Sequence, residues 1–366
     1  MVKSEYEMVG EKERFGEIDL IRFCAALSVM IYHYQAKYIE NSTENSALAT
    51  CLYNFTKFGY LGVDLFFIIS GFVIFASASG RTSFQFSISR ITRIYPTYWV
   101  CVSITALIAI ILEGTASQIT FKYWLANLTL FNTRFGIEDI DGVYWTLGVE
   151  IKFYFFIFVL LVCNLLKYYR VWITIWLILT ISFLLFKQPF FLGWFISPEY
   201  SSYFIAGIVF FLATRGGYQV FHIIILSITL LISSLRAMEA IDGFILHYGV
   251  SEIDRFIAVG VVWCLYFLFY LISIRKFIMR DTVFVLALGG ITYPLYLLHN
   301  RAGKNIYDFF SGSTQRPFLL ISIAILMLFV SLLIHLYLER KIADKLKFYL
   351  ISAGEKAIYL YRKVDR

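Results

Sequence analysis

Charged residues are scarce in this chain. Asp, Glu, Lys and Arg make up 16% of the 366 residues, whereas hydrophobic residues make up 60%, and the mean hydropathy is +0.73. Soluble domains hold about 25% charged and about 45–50% apolar residues. No stretch of the chain is polar for long enough to form a soluble domain. The composition therefore predicts one polytopic membrane domain.

Cysteines are few and have no paired spacing. The five are Cys24, Cys51, Cys101, Cys163 and Cys264, most of them lie within apolar runs, and no CxxC occurs. An odd number without CxxC argues against a disulfide framework or a cysteine metal site. We therefore interpret them as small buried hydrophobic residues and expect no metal.

Basic clusters are confined to loops and to the C-terminal tail. The net charge of +7 fits a membrane protein with basic cytoplasmic loops better than a protein that binds nucleic acid. No internal repeat or low-complexity linker is present. The N-terminal stretch lacks the basic-then-apolar layout of a signal peptide, so the first apolar helix is expected to be retained.

Apolar windows of about 20 residues recur along the whole length, as in membrane-spanning helices. The predicted fold is all-α, a polytopic bundle of about ten transmembrane helices. The candidate spans cover residues 17–36, 59–79, 94–112, 144–166, 170–186, 200–214, 219–235, 255–273, 282–299 and 317–338. Segment 118–131 is too short and mixed to cross, and is predicted to be interfacial or re-entrant. The membrane domain covers residues 1–340, and residues 341–366 form a basic amphipathic cytoplasmic tail on the lipid surface.

The distribution of basic residues predicts the orientation. Lys and Arg concentrate in alternate loops, while the longer loops between them are richer in acid, as in "RFGIEDIDGVYW". The last outer loop, with Arg301, Lys304 and Arg316 against Asp308, is the exception. The positive-inside rule then favours both termini in the cytoplasm and a protein of the plasma (bacterial inner) membrane.

The first span, "IDLIRFCAALSVMIYHYQ", carries a cation and an imidazole in an otherwise apolar helix. Ten residues separate Arg22 from His33, and eleven helical positions advance about 16 Å and return to nearly the same face. Ionisable residues inside a span usually face the bundle interior and mark a pathway. The alternative is an arginine that snorkels from the helix end and a histidine at the interface.

The second and fourth spans each carry a carboxylate. Asp64 stands in "GYLGVDLFFIISGF", among glycines that permit close helix approach. It either orients the His33 imidazole and raises its basicity, or caps the start of its own helix. Glu150 is expected in the outer half of its span, where an ionised carboxylate requires a buried partner.

Arg90 and Arg93 lie one helical turn apart in "SISRITRIYP", and therefore on one face of a helix. Two guanidiniums at the inner membrane surface would grip phosphate oxygens bidentately. The alternative is ordinary positive charge on a cytoplasmic loop. The paired spacing next to "IYP" favours the phosphate interpretation.

Three further residues lie near the outer ends of spans. His299 ends the ninth span in "GGITYPLYLLHN", as a site residue or as an interfacial histidine. Tyr144 and Trp145 open the fourth span, and they either stack on sugar rings or belong to an aromatic belt.

In this order, these segments resemble the acyltransferase-3 family of membrane acyltransferases, which O-acylate sugars and related acceptors. The resemblance rests on Arg22 with His33, "GYLGVDLFFIISGF", Arg90 and Arg93 before "IYP", "YWTLGVEIKFY" and "ITYPLYLLH". It covers roughly residues 15–340. The family usually has Gln where Lys152 stands, so no role is assigned to that position.

The resemblance implies an O-acyltransferase that moves an acyl group, with acetyl expected first, from cytosolic acyl-CoA to a glycan hydroxyl. The donor would be acetyl-CoA or another acyl-CoA, and the acceptor a cell-surface or exported glycan or a lipid-linked sugar. Imidazole suits the chemistry, because its pKa of about 6.5 lies near working pH. The expected site residues are His33, Asp64 and Glu150 for catalysis, Arg22, Arg90 and Arg93 for the donor, and Tyr144, Trp145 and His299 for the acceptor. Whether His33 is a general base or a transient acyl carrier stays open.

Two other functions compete with this one. A transporter or flippase would use the same charges to line a path, but it would predict inverted repeats or matching broken spans. A structural or sensory membrane module offers no reason for an arginine and a histidine on one buried stripe. Acyl transfer is therefore the favoured function.

Overall fold

The computed structural model describes residues 15–40, 47–188, 191–195, 197–244, 251–311 and 316–364, and no strand occurs in these ranges. The helices are α1 (Gly16–Glu40), α2 (Ala47–Thr56), α3 (Gly62–Ala78), α4 (Ser83–Glu113), α5 (Phe121–Asn127), α6 (Trp145–Val162), α7 (Tyr169–Phe186), α8 (Phe191–Phe195), α9 (Ser201–Gly216), α10 (Val220–Phe244), α11 (Glu252–Ser273), α12 (Val283–Leu298), α13 (Arg301–Phe310), α14 (Arg316–Leu333) and α15 (Arg340–Val364).

The predicted polytopic helical bundle is confirmed. Within the described ranges, seven helical stretches are long and apolar enough to cross a membrane, or eight if the bent pair α12–α13 is one span. Each predicted span coincides with a helix, and the predicted number of about ten is approximate. Helix α1 is 25 residues long but not apolar enough to be counted as a spanning helix. Helix α9 is apolar but only 16 residues long.

Helix α9 is the centre of one half of the bundle. Its residues from Ser201 to Ala213 are all buried. It crosses α3 closely, since a Cβ at Gly71 would overlap the carbonyl of Phe204 and one at Gly207 would overlap that of Ile68. Such glycine contacts let helix backbones approach closely in a membrane. A short helix suffices here because neighbouring helices surround it.

Helix α1 lies inside the other half of the bundle. A 3₁₀ turn, Lys57–Leu61, packs on one side of it, where a Cβ at Gly62 would lie 2.7 Å from the Ala25 carbonyl oxygen. Helix α12 packs on another side, where a Cβ at Gly289 would lie 2.7 Å from Asp19. The polar side chains of α1 therefore point among other helices.

The segment between α4 and α6 does not cross the bundle. Helix α5 has only 7 residues, and it is tied back to α4 by the Tyr98 hydroxyl, which donates to the Asn127 carbonyl at 2.8 Å. The Trp99 indole donates to the Leu128 carbonyl at 2.9 Å. A non-spanning segment was predicted in this place.

Two breaks shape the C-terminal helices. Helices α12 and α13 meet at 63° directly after His299. Helix α14 continues through a π-helical turn, Ile334–Glu339, into α15. The tail that was predicted from residue 341 is therefore the extension of the last span. It returns to α4, where a Cβ at Gly354 would overlap the ring of Phe84.

Candidate active site

Helix α1 carries the two residues that define the site, and it places them at opposite ends. Arg22 and His33 are both half-buried, and they lie about 16 Å apart along the helix axis. We call the end of the bundle that holds Arg22 the arginine end, and the end that holds His33 the histidine end. Helices α3 and α12 run past both residues, so their side chains complete the two ends.

The arginine end contains a cavity of about 580 Å³. All three predicted arginines line it, and so does Arg340 of α15, whose side chain is 90% exposed. The other titratable residues that line it are Asp19, Glu150, Tyr154, His335 and Glu339. Guanidiniums gathered in one cavity suit a ligand with several phosphate groups.

Arg90 and Arg93 are held in place by different partners. The Arg90 guanidinium donates to the hydroxyls of Ser77 at 3.1 Å and Ser89 at 2.9 Å. Arg93 pairs with the Glu339 carboxylate at 2.7 Å. Arg90 and Arg93 were predicted to lie on one face of a helix, and that face is directed into the cavity at the arginine end.

Glu339 was not predicted from the sequence. It lies in the π-helical turn, and its second oxygen is 2.8 Å from Nδ1 of His335. The His335 ring packs directly on Gly290, where a Cβ would overlap it. π-helical turns occur often at functional sites. The sequence around Glu339 gave no signal that its carboxylate would reach Arg93.

Glu150 borders the arginine cavity, which differs from the expected outer position beside His33. Its Oε1 accepts hydrogen bonds from the Ser70 hydroxyl at 2.8 Å and the Tyr154 hydroxyl at 2.6 Å. It interacts electrostatically with Arg22 and Arg90. The reason is depth, since five residues after Trp145 a helix has advanced about 7–8 Å toward the arginine end.

The histidine end brings together His33 and His299, with ring centroids 5.3 Å apart. His299 is fully buried, and its Nδ1 is 2.8 Å from the Tyr296 carbonyl. A carbonyl only accepts, so Nδ1 carries the proton and Nε2 of the neutral ring is an acceptor. That Nε2 is buried without a hydrogen-bond partner. The structure therefore joins two histidines that the sequence placed on separate helices.

Asp64 lies apart from this histidine pair. Its Oδ2 accepts a hydrogen bond from the Tyr203 hydroxyl of α9 at 3.1 Å. It also stands in the first turn of α3, as its helix-start interpretation requires. Among the described residues, no hydrogen bond joins the His33 imidazole to Asp64 or Glu150. The role of Asp64 in the reaction stays a prediction.

The two aromatic residues predicted to bind a sugar have different environments. Tyr144 is buried against Tyr98, with ring centroids 5.3 Å apart, and its hydroxyl donates to the Leu297 carbonyl at 3.2 Å. No face of the Tyr144 ring is open to a sugar in this structure. Trp145 is half-buried and tilts against Tyr200 at 5.3 Å.

Asp141 fixes the break between α12 and α13, and the sequence did not single it out. Its Oδ2 accepts from the Arg301 backbone N–H at 2.6 Å, and its Oδ1 accepts from the Asn300 side chain at 2.6 Å. Burial raises the pKa of Asp141, and these two hydrogen bonds oppose the increase. The fully buried carboxylate thereby holds the residues that directly follow His299.

Arg301 ties the same break to α4. Its guanidinium forms a bidentate pair with Glu113, at 2.9 and 3.0 Å, and also donates to the Ile140 carbonyl at 2.8 Å. Arg301, an exception to the predicted charge rule, is thus a structural partner of an acidic residue.

No group of three His, Cys, Asp or Glu side chains is placed to hold a metal ion within the described ranges. Lys152 lies outside both ends of the site, with its ammonium 3.3 Å from the Ser197 hydroxyl.

Comparison with known proteins identifies the family. The model of the acyltransferase-3 family, described as an acyltransferase domain, matches residues 15–336. Nodulation protein 10 of Rhizobium leguminosarum bv. viciae is 26% identical over 159 residues, which are 38% of this chain and 42% of that protein. Exopolysaccharide production protein ExoZ of Rhizobium meliloti (strain 1021) is 32% identical over 106 residues, 26% of this chain and 32% of that protein.

The matches thus span less than half of either relative, and no solved structure matches the chain. The family match covers most of the chain, and it includes Arg22, His33, Arg90, Arg93, Glu150 and His299. The protein belongs to the acyltransferase-3 family, and its apolar helices are those of an integral membrane protein.

Proposed function

We propose that this acyltransferase moves an acyl group, acetyl in the first place, from cytosolic acyl-CoA to a hydroxyl of a cell-surface or exported glycan. The observation that carries the proposal is the layout of α1. It leads from a cavity with several guanidiniums at Arg22 to a pair of facing histidines at His33. The donor binds at the first place, and the acceptor hydroxyl is activated at the second.

Donor binding is supported by the charge of the arginine cavity. Acyl-CoA carries a diphosphate and a ribose phosphate, and planar guanidiniums bind such groups bidentately. The phosphates would be held in this cavity by Arg22, Arg90 and Arg93. Glu150 would balance the remaining positive charge, which is a different role from orienting His33.

Catalysis is supported by the histidine pair. In direct transfer, the His33 imidazole accepts the proton of the acceptor hydroxyl while the hydroxyl oxygen attacks the thioester carbonyl carbon. A carbon–oxygen bond forms, the carbon–sulfur bond breaks, and the CoA thiolate leaves and receives the proton from the imidazolium. His299 is fully buried at this end, and burial strengthens the electrostatic interactions of the reacting groups.

A hydroxyl-rich acceptor is supported by polar atoms at the histidine end that have no protein partner. Buried atoms without a hydrogen bond there include Nε2 of His299, Oδ1 of Asn300 and the hydroxyl of Tyr34. Buried polar atoms normally have partners, and a sugar would supply them. The names of the two relatives, which concern nodulation and exopolysaccharide production, agree with a glycan or a lipid-linked sugar.

The proposed orientation puts the arginine end in the cytoplasm of a bacterial inner membrane, with both termini on that side. Gly16 of α1 lies beside Asp281, and Gly354 of α15 lies beside Phe84 of α4, both at the arginine end. Cytosolic acyl-CoA would then reach the cavity directly.

The test uses membrane vesicles from producing cells, which contain the endogenous acceptor, and radiolabelled acetyl-CoA. We expect label in the glycan fraction with the wild-type chain and none in vesicles that lack it. Mass spectrometry of the glycans then identifies the acyl group. Vesicles that move a glycan but transfer no label would contradict the proposal and favour a transporter.

The same assay decides between a base and an acyl carrier. A carrier forms a covalent acyl-histidine, so label would remain on the wild-type protein after denaturation when acceptor is withheld. Direct transfer leaves no label on the protein. The His33→Ala variant provides the background in both cases.

A further inference from the structure

A second, much smaller cavity lies between the two ends of the site. Its volume is about 60 Å³, and it shares Arg22, Ser70, Arg93, Glu150 and Gly289 with the large cavity. Beyond these residues its walls are mainly apolar, and they include Phe66, Phe67, Thr146 and Tyr296. A donor bound by its phosphates in the large cavity would extend its acyl end into this space.

The wall nearest the histidines is closed by a hydroxyl pair. The Thr146 hydroxyl donates to the Val143 carbonyl at 2.9 Å, so it accepts from the Tyr296 hydroxyl at 3.1 Å. Tyr296 precedes His299 by one helical turn, and the two ring centroids are 5.6 Å apart. The acyl end of a donor therefore has to pass Tyr296 to reach the histidine pair.

The aromatic walls have little freedom to move. The Phe66 ring stands edge-on to Tyr296, with centroids 5.3 Å apart. The Phe67 ring is enclosed by three aromatic neighbours, Tyr200 at 4.9 Å, Phe204 at 5.1 Å and Trp145 at 6.3 Å. Tightly packed side chains of this kind resist enlargement of a cavity, because interiors are close-packed.

The volume matches a short acyl group. A water-sized group needs about 10–15 Å³ of such space, so the cavity holds about four to six non-hydrogen atoms. The sulfur and acetyl group of acetyl-CoA amount to four atoms, and propionyl adds one more. A succinyl or octanoyl thioester has about twice that number or more, and exceeds the space.

We propose that this cavity selects the acyl group and that Phe66 and Tyr296 restrict the donor to acyl groups of two to four carbons. The inference rests on the proposed use of acyl-CoA, and it adds the class of acyl group and the residues that choose it. Selection operates on the donor before it reaches His33, and is therefore independent of the acceptor.

The experiment compares acetyl-, propionyl-, butyryl- and octanoyl-CoA with the full-length protein in vesicles that contain the endogenous acceptor. We expect the wild type to use acetyl-, propionyl- and butyryl-CoA, with kcat/KM for octanoyl-CoA lower by about tenfold or more, since even one extra methylene in a closed pocket costs about that much. Phe66→Ala is expected to raise the ratio of octanoyl to acetyl transfer by about tenfold.

Phe66→Leu enlarges the cavity less than Phe66→Ala does. It is the second variant for the same measurement if the alanine variant does not reach the membrane. Phe156→Ala is the matched control, because Phe156 packs against Trp172 and Trp176 outside both cavities. Its ratio of octanoyl to acetyl transfer is expected to equal that of the wild type. A wild type that uses octanoyl-CoA as well as acetyl-CoA would overturn the inference, as would an unchanged ratio in both Phe66 variants. No transfer from any of the acyl-CoA compounds would instead overturn the proposed function.

Discussion

The arginine end and the histidine end of the site are built in opposite ways. The arginine end surrounds a cavity of about 580 Å³, where guanidiniums meet carboxylates that a ligand can displace. At the histidine end, His299 is fully buried, and Asp141 and Glu113 fix the chain that follows it. An adaptable end suits binding of a mobile charged donor, whereas a fixed end suits proton transfer, which requires constant geometry. Predictions that separate the two ends therefore separate donor binding from chemistry.

The largest expected effect comes from the histidine end. His33→Ala removes the proposed base, and it should reduce acyl transfer by about 10²–10⁴-fold, the usual contribution of general base catalysis. Donor binding, measured by equilibrium dialysis with labelled acetyl-CoA, should stay near the wild-type value. The matched control is His222→Gln, since His222 is a buried histidine beside the Gly217 carbonyl and lines neither cavity. Full activity of His33→Ala at normal membrane abundance would remove His33 from the mechanism.

The next effect belongs to the arginine end. Replacing Arg90 and Arg93 together by glutamine removes two charge-assisted contacts to the donor, and each is worth about 1.5–3 kcal/mol. The KM for acetyl-CoA should rise by about a hundredfold or more, while the KM for the acceptor changes little. Arg215→Gln controls for loss of positive charge, because Arg215 ends α9 at the same end and does not line the cavity. An unchanged KM for acetyl-CoA would contradict donor binding and leave both arginines only the role of positive charges that set the membrane orientation.

Much of this layout was predictable from the sequence, because it depends on residues that lie close together along the chain. The helices follow from apolar windows, and the common face of Arg22 with His33, like that of Arg90 with Arg93, follows from the helical repeat. These relations involve residues on one element, so spacing alone determines them. The orientation of each pair toward the bundle interior followed from the cost of exposing charge to lipid.

Relations between elements were not predictable. Asp141 and Asn300 are 159 positions apart, and Arg93 and Glu339 are 246 positions apart. Both contacts depend on how helices pack, which one sequence does not reveal. Glu150 was expected with His33 because both were placed in the outer halves of their spans, and a similar depth does not reveal which side chains meet. Tyr144 was expected at a sugar, since aromatic residues that pack and aromatic residues that bind look alike in a sequence.

A smaller effect tests the rigidity of the histidine end. Asp141→Asn keeps the shape of the side chain but replaces one carboxylate oxygen by an NH₂ group. That NH₂ group would face another hydrogen-bond donor, either the Arg301 N–H or the Asn300 amide. The bend after His299 should relax, and kcat should fall by about ten- to a hundredfold with an unchanged KM for acetyl-CoA. Asp139→Asn, two residues earlier in the same loop, should retain near-normal kcat. A change confined to donor KM would contradict this assignment.

The smallest effect tests the adaptability of the arginine end. Glu339→Gln removes the carboxylate that competes with a phosphate for Arg93, in a partly exposed ion pair. Such pairs are worth about 0.2–1 kcal/mol, so the KM for acetyl-CoA should fall by about two- to fivefold. Glu239→Gln breaks a similar pair with Arg236 outside the cavity, and should leave this KM unchanged. A rise in donor KM for Glu339→Gln would show that Glu339 supports the cavity instead.

The most direct test of the central claim measures the side of the membrane on which each substrate acts. Protein in which the other exposed cysteines, Cys24, Cys51 and Cys264, are replaced by alanine is reconstituted into vesicles. Its orientation is read by impermeant maleimide at Cys163, an exposed residue directly after α6 at the arginine end. Labelled acetyl-CoA is then supplied on the arginine side only, with purified acceptor glycan on the other side only. The layout of α1 predicts labelled glycan on the histidine side, and none with His33→Ala. Label that appears only when both substrates share one side would contradict it.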